Sequence, residues 1–206
     1  MTAAVTFDRV SLFYDERPIL RELTFSGEPG RLTLVLGANG AGKSSLLRLM
    51  AGLEPPGSGK ISQRENLRIG YIGHPTFLYP ALTAAQNLEF WAKAHRLPQR
   101  RQAVADALAA TNLSAHAQTR AGALSRGLAQ RLNFSRCLML RPELLLLDEP
   151  FTGLDEDSQE LIRGKIKELK QASVCIFLVS HSPAADSAFA DEIFTLKGQR
   201  LSRQAA

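Results

Sequence analysis

Val5, Phe7, Val10 and Leu12, and then Leu20, Leu23 and Phe25, recur at roughly every second position on either side of Asp15-Glu16-Arg17-Pro18. That is the pattern of two half-buried strands joined by turn-forming residues, and it predicts an antiparallel hairpin. The next apolar positions behave differently. Leu32, Leu34, Val35 and Leu36 form the near-continuous run of a strand buried on both faces, and Leu46, Leu47 and Met50 recur with helical spacing between Ser45 and Leu53. Pro55-Pro56-Gly57-Ser58-Gly59 interrupts the chain, after which Ile61 and Leu67 to Ile72 return to strand patterning that ends at Gly73-His74-Pro75.

Helical spacing then dominates. Thr83 and Gln86 form a capping box ahead of a helix whose one face carries Ala84, Ala85, Leu88, Trp91, Ala92 and His95, with Phe90 and Leu97 on the other. The alanine-rich stretch Gln102 to Leu113 is also helical, so residues about 76–135 read as a mostly helical insert. A further helix opens at Leu124-Ser125-Arg126-Gly127 and runs to Pro142. Leu144 to Leu147, ending in Asp148-Glu149, and Val174 to Val179 are buried strands, and Ile193 to Leu196 and Arg200 to Ser202 are short ones. Together these predict one α/β domain over 1–206, with a core of about 1–75 and 136–206.

Composition narrows this only a little. The 206 residues are 45% hydrophobic, enough for a sizeable core. No run reaches the roughly 18 apolar residues of a membrane span, and Met1 to Val10 lacks the apolar centre of a signal peptide. The expectation is a cytoplasmic location. Cys137 and Cys175 sit among apolar neighbours and read as buried free thiols. The net charge of +5 is scattered except for Arg96 to Arg101, which reads as a solvated basic face and not as a nucleic-acid site.

The sharpest chemistry lies at Gly37-Ala38-Asn39-Gly40-Ala41-Gly42-Lys43-Ser44, which fits G-x-x-x-x-G-K-[ST] at every fixed position, after a strand and before a helix. Glycines 37, 40 and 42 let successive N–H groups turn toward one anion at the positive end of the helix. Polyphosphate is the ligand they suit, with Lys43 reaching the outer phosphates and the Ser44 hydroxyl binding Mg²⁺. Asp148, at the end of a strand parallel to the one before the loop, can hold the same Mg²⁺ directly or through water, and Glu149 can polarise an attacking water. His181 follows the next strand at the same edge. Alone it would be an ordinary loop residue, and Tyr14 a strand-end aromatic.

In this order and spacing the motifs resemble the nucleotide-binding subunit of an ATP-binding cassette transporter, over essentially the whole chain. The resemblance implies a P-loop NTPase with a mostly parallel core sheet, an N-terminal antiparallel β subdomain and a helical insert. It implies ATP and Mg²⁺ as cofactors, held by Gly37, Asn39, Gly40, Ala41, Gly42, Lys43, Ser44 and Ser45, with Tyr14 stacked on adenine. Asp148 and Glu149 correspond to Walker B and its catalytic glutamate, Thr152-Gly153-Leu154-Asp155 to the D-loop, and His181 to the switch histidine. Leu124 to Leu128 resembles the signature loop but reads L-S-R-G-L, keeping Ser125 and Gly127 for a phosphate bound across a dimer interface. His74 stands where the family usually has glutamine. Imidazole is a poor direct ligand for a hard cation, so His74 is expected to act on Mg²⁺ through a water and to lower activity as it protonates.

Within the superfamily, Ile72-Gly73-His74 with Leu82-Thr83, Asn87-Leu88 and Phe90-Trp91, and the short chain, resembles the ATP-binding subunit of the cytochrome c maturation haem exporter. That resemblance implies ATP-dependent head-to-tail pairing, separate transmembrane subunits and a location at the cytoplasmic face of the bacterial inner membrane. It also implies no direct contact with the transported substrate. The stretch Pro75 to Leu97 is the expected membrane-subunit contact, with Phe90 a candidate side chain and Trp91 expected in the core. Two other classes compete: a soluble cassette protein acting on ribosomes or DNA, which would show two cassettes or a long heptad insertion, and a small-metabolite kinase, which would need neither signature nor D-loop.

Overall fold

Residues 2–73, 76–180 and 186–204 are described by the computed structural model, and His74 and His181 therefore lie outside the described residues. The chain divides into two compact units, residues 1–73 with 143–150 and 169–206, and residues 74–142 with 151–168. The helical unit is thus larger than an insert of 76–135, because it takes in a return segment after Pro150.

In the first unit, β1 (Val5–Tyr14) and β2 (Arg17–Gly27) form the expected hairpin, and β4 (Ser58–Gln63) joins β1 to give an antiparallel sheet of order β2-β1-β4. The turn is Asp15-Glu16 alone. Arg17 and Pro18 pair with Tyr14 and Phe13, so they belong to the strand and not to the turn. The alternation skips from Phe7 to Val10 and from Leu20 to Leu23, and those three-residue steps have a structural cause. Arg9 and Glu22 take left-handed backbone angles, φ 48° and 49°, and the β1–β2 register shifts between Phe7 and Val10. One extra residue in a strand reverses its facing, so a bulge restores the apolar side to the core.

The second sheet combines β3 (Leu32–Leu36), β5 (Ile69–Ile72), β6 (Leu144–Asp148), β7 (Cys175–Val179), β8 (Glu192–Lys197) and β9 (Arg200–Arg203) in the order β5-β6-β7-β3-β8-β9. Its first five strands are parallel, and β9 turns back antiparallel on β8. Every residue of β6 and β7 is buried, as expected of parallel strands covered on both faces. Phe25 of β2 stacks on Phe7 at 4.6 Å and meets Phe177 and Phe194 at 5.9 Å each, tying the antiparallel sheet to the parallel one. Each fully buried ring of this kind stabilises the fold by about 1.5–3 kcal/mol through burial. Both cysteines are buried free thiols, and burial, with the negative charges of Glu28 and Glu192 adding, pushes the Cys175 thiol up to about 12.

The second unit is built on α2 (Ala84–Ala94), α3 (Arg100–Ala110), α4 (Arg126–Met139) and α5 (Glu156–Gln171), whose last turn crosses the unit boundary. Thr83 and Gln86 complete the capping box in both directions. Ala84, Leu88 and Ala92 of α2 pack with Val104, Ala107 and Leu108 of α3. Leu97, expected on the polar side, is instead half-buried against this cluster. The chain folds back there, with Leu97 N–H donating to the Ala92 carbonyl at 2.9 Å. His95 is exposed at the end of that face, its ring stacked on Trp91 at 6.0 Å, and Trp91 is only half-buried. Asn87, unremarked in the pattern, is fully buried, its amide bonding the backbone of Tyr79, Leu82 and Thr83. Helix α5 was not anticipated either, although Ser158, Ile162 and Ile166 bury one stripe at four-residue intervals.

Candidate functional site

The phosphate-loop pattern lies between β3 and a helix, α1 (Lys43–Met50), as its spacing required. Gly42 caps α1 with φ 103°, a left-handed angle that glycine adopts at little cost, and a Cβ there would stand 3.1 Å from both Ile19 and Leu20. Residues Ala38, Asn39 and Gly40 are exposed, whereas Lys43 and Ser45 are buried. Lys43 Nζ donates to the carbonyls of Gly37 at 2.8 Å and Ala38 at 3.0 Å, which holds the ammonium over the loop. No acidic residue lies in the first turn of α1. The helix end therefore presents its partial positive charge and a lysine to an anion, with no competing carboxylate on the helix.

Parallel pairing sets the position of the acidic pair. Val35 of β3 and Asp148 of β6 both stand opposite Val179 of β7, so they lie at the same level two strand spacings apart, about 10 Å. Leu36, Asp148 and Val179 thus end at one carboxyl edge, where open α/β sheets bind ligands. Asp148 is 5% exposed. Burial, and secondarily the negative charge of Asp148, pushes the Tyr71 phenol up to about 12, so this carboxylate acts on the phenol of neighbouring β5. Glu149 follows in a left-handed conformation, φ 53°, its N–H bonded to the Val179 carbonyl at 3.0 Å. A non-glycine residue in that region costs about 1–2 kcal/mol and is held there by its surroundings.

The Tyr14 hydroxyl lies 3.0 Å from Ser45 Oγ and from both Glu54 carboxylate oxygens, and it accepts from the Arg48 guanidinium at 2.8 Å. Arg48 also donates to Glu54 at 2.7 Å and Ser45 at 3.1 Å. Tyr14 as a whole is 41% exposed although its hydroxyl is anchored. Ser45 is thereby bonded to Tyr14 and Arg48 within the protein. Arg48 and Glu54 escaped the sequence reading because no local pattern links Tyr14 to a loop residue 40 positions later.

In the helical unit, Ser125 caps α4, its Oγ accepting from Leu128 N–H at 3.3 Å. A Cβ on Gly127 would collide with the Asp155 carboxylate and stand 2.7 Å from Ser158 Oγ. Glycine there makes room for a neighbouring segment of the same chain, a local reason that the motif alone does not give. Asp155 caps α5, accepting from Ser158 N–H at 2.8 Å and Ser158 Oγ at 3.0 Å, and the first of these bonds leads in holding its carboxyl below the usual range. Arg131 Nε donates to Ser158 Oγ at 2.9 Å. A Cβ on Gly153 would fall 2.5–3.0 Å from the Arg126 guanidinium, so the arginine that departs from the signature lies against the D-loop.

A sequence profile described as ABC transporter matches residues 20–152. The chain belongs to the ABC transporter family. It is 31% identical over 186 residues to the linearmycin resistance ATP-binding protein LnrL of Bacillus subtilis (strain 168), covering 84% of this chain and 60% of that protein. It is 33% identical over 218 aligned positions to the Fe(3+) ions import ATP-binding protein FbpC 2 of Rhodococcus jostii (strain RHA1), covering 98% of this chain and 62% of that one. The chain therefore spans about 60% of the length of these curated relatives. The solved structure of an ATP binding subunit of an ABC transporter superposes with a TM-score of 0.90 at 25% identity, covering 99% of this chain and 90% of that one. The architecture is the ABC ATPase fold, and its cofactors are ATP and Mg²⁺. The residues fit them: a cationic, exposed glycine loop for the phosphates, and the hard oxygen donors Ser44 and Asp148 for Mg²⁺. Among the described residues no helix is long and apolar enough to cross a membrane.

Proposed function

We propose that this chain is the ATP-hydrolysing subunit of a membrane transporter, converting MgATP to ADP and phosphate. The observation that carries the reading is the shared carboxyl edge, where parallel pairing sets the phosphate loop and the Asp148-Glu149 pair at one level. Lys43 and the loop N–H groups bind phosphate, Ser44 and Asp148 hold Mg²⁺, and Tyr14 offers its ring to the base. Bound Mg²⁺ neutralises phosphate charge. Glu149 orients and deprotonates the attacking water, with His181 assisting and His74 contacting the metal's water shell. Ser125, Gly127 and Asp155 act on the nucleotide of a second copy in a head-to-tail dimer that forms with ATP.

Separate transmembrane subunits would receive the stroke at the aromatic surface after β5, and the transported substrate would not touch this chain. Phe77, Tyr79 and Phe90 are 39%, 45% and 42% exposed, consistent with a surface that takes a partner. The protein would then sit peripherally at the cytoplasmic face of the bacterial inner membrane. Sedimentation of Glu149→Gln with ATP tests the dimer: a monomer at high ATP and protein concentration removes that step. Co-purification of transmembrane subunits tests the transport role.

The narrower reading is haem export for c-type cytochrome biogenesis. It is supported by Ile72-Gly73-His74, Asn87-Leu88 and Phe90-Trp91, whereas the relatives named above are a drug-resistance and an iron-import protein. Cells lacking the chain should then lose covalent haem from their c-type cytochromes, and normal haem attachment would move the assignment to another exporter.

A further inference from the structure

The turn between α2 and α3 encloses an open hollow of about 840 Å³ lined by Lys93, Arg96, Arg100 and Arg101, with Leu97 among them. All four cations are exposed, and no acidic residue occurs between Glu89 and Asp106. Elsewhere Arg48 faces Glu54, Arg64 faces Glu143 and Lys170 faces Asp191. None of the four has a carboxylate within ion-pair distance among the described residues. Arg100 and Arg101 also occupy the first turn of α3, which has no side-chain cap and no acidic residue. Positive charge there opposes the helix dipole, and like charges repel across the hollow. The turn is strained as well, with Arg96 at φ 52° and Gln99 at φ 48°. The fold thus concentrates mutually unfavourable charge at one corner with no internal compensation, and an external anion would supply it.

We propose that this hollow is a contact for the anionic headgroups of a phospholipid bilayer. Two features favour a lipid surface over a single bound anion. The four side chains are exposed and make no fixed hydrogen bonds among the described residues, which suits a diffuse field and not a coordinated ligand. Exposed Pro98 and half-buried Leu97 stand at the tip of the turn between them, giving an apolar point amid charge. Basic side chains set around an apolar point are the composition of a bilayer-surface contact. Each cation near an anionic membrane strengthens binding roughly fivefold, so four contribute on the order of several hundred-fold at low salt.

Co-sedimentation of the full chain, without nucleotide, on vesicles of phosphatidylcholine alone or with about a third phosphatidylglycerol reads this directly. The expected result is binding to the anionic vesicles only, lost at about 0.5 M salt as screening shortens the field. The variant K93E/R96E/R100E/R101E should lose it while keeping its fold by circular dichroism and its basal MgATP hydrolysis. Equal binding by the variant and the wild type, or no wild-type binding at low salt, overturns the proposal. So does displacement by millimolar inorganic phosphate at ionic strength matched with chloride, which would mark a free-phosphate site, or a preference for an acidic peptide or RNA over the vesicles. Because no nucleotide is present, these results stand apart from whether the chain hydrolyses ATP.

Discussion

The two clusters of candidate nucleotide chemistry are held in place by different means. In the unit containing the sheet, strand register positions the phosphate loop and Asp148-Glu149, and the loop has space around it. A Cβ on Gly40 would meet nothing within 4 Å, so glycine is needed there for its φ of 75° alone. In the helical unit, side chains from segments about 25 residues apart interlock, and Gly127 has no room because Asp155 and Ser158 fill the space. A motif set by backbone geometry carries its own context in sequence. One set by interlocking side chains does not, and its residues have local structural duties besides any role in catalysis.

The largest effects should separate duties within the sheet unit. Glu149→Gln is expected to slow MgATP hydrolysis by about two orders of magnitude or more while nucleotide affinity is kept, since it removes help to the attacking water and no phosphate contact. Lys43→Ala should instead weaken ATP binding itself, about tenfold or more, because it removes the cation held over the loop. Calorimetry beside steady-state phosphate release distinguishes them. Unchanged affinity in Lys43→Ala would count against the phosphate-loop assignment, and full turnover in Glu149→Gln would remove the base.

A second pair compares the two glycines through stability. Gly127→Ala drives a methyl into Asp155 and Ser158, and overpacking of this kind costs about 1–3 kcal/mol. Alanine's better helix propensity offsets about 1 kcal/mol or less of that. Gly40→Ala meets open space, so its cost is the left-handed angle, about 1–2 kcal/mol. The discriminating measurement is rescue by urea denaturation. Ser158→Ala should recover part of the Gly127→Ala loss and none of the Gly40→Ala loss, and additive double mutants would show that the interlock is not what requires glycine at 127.

The same contrast explains what could be read before the fold was known. The individual buried strands, the hairpin turn, the capping box and the phosphate loop were legible because each is marked by residues within a dozen positions. Even the imperfect alternation at Phe7–Val10 encoded the bulge at Arg9, once its three-residue step is read literally. Helix α5 was missed because it buries only a narrow stripe, including a serine, in a strongly polar sequence. The anchoring of Tyr14 by Arg48 and Glu54, and of Asp155 by Ser158 and Arg131, depends on contacts between segments whose proximity only the fold provides. The extent of the helical unit was misjudged likewise, because residues 151–168 rejoin it after a strand of the other unit.

The smallest expected effect concerns Asp155, whose side chain is 58% exposed but accepts two bonds from Ser158 and lies 3.8 Å from Arg131. Those bonds, the Ser158 N–H first, favour the carboxylate, so its folded pKa lies below the ordinary 3.8. A group with a lowered folded pKa contributes stability that is present above the unfolded value and disappears as pH falls through the folded one. Asp155→Asn keeps an oxygen that can cap α5, since asparagine caps about as well as aspartate, but it cannot ionise. The wild type should therefore be modestly more stable than Asp155→Asn at neutral pH, and the difference should begin to narrow below about pH 3.8 and close as pH falls through the lower folded value, where the carboxyl protonates and resembles the amide. Urea midpoints of both proteins between pH 7 and pH 3 read this. A constant difference across that range would show that the cap works through geometry alone, and that the charge adds nothing to the interlock with α4.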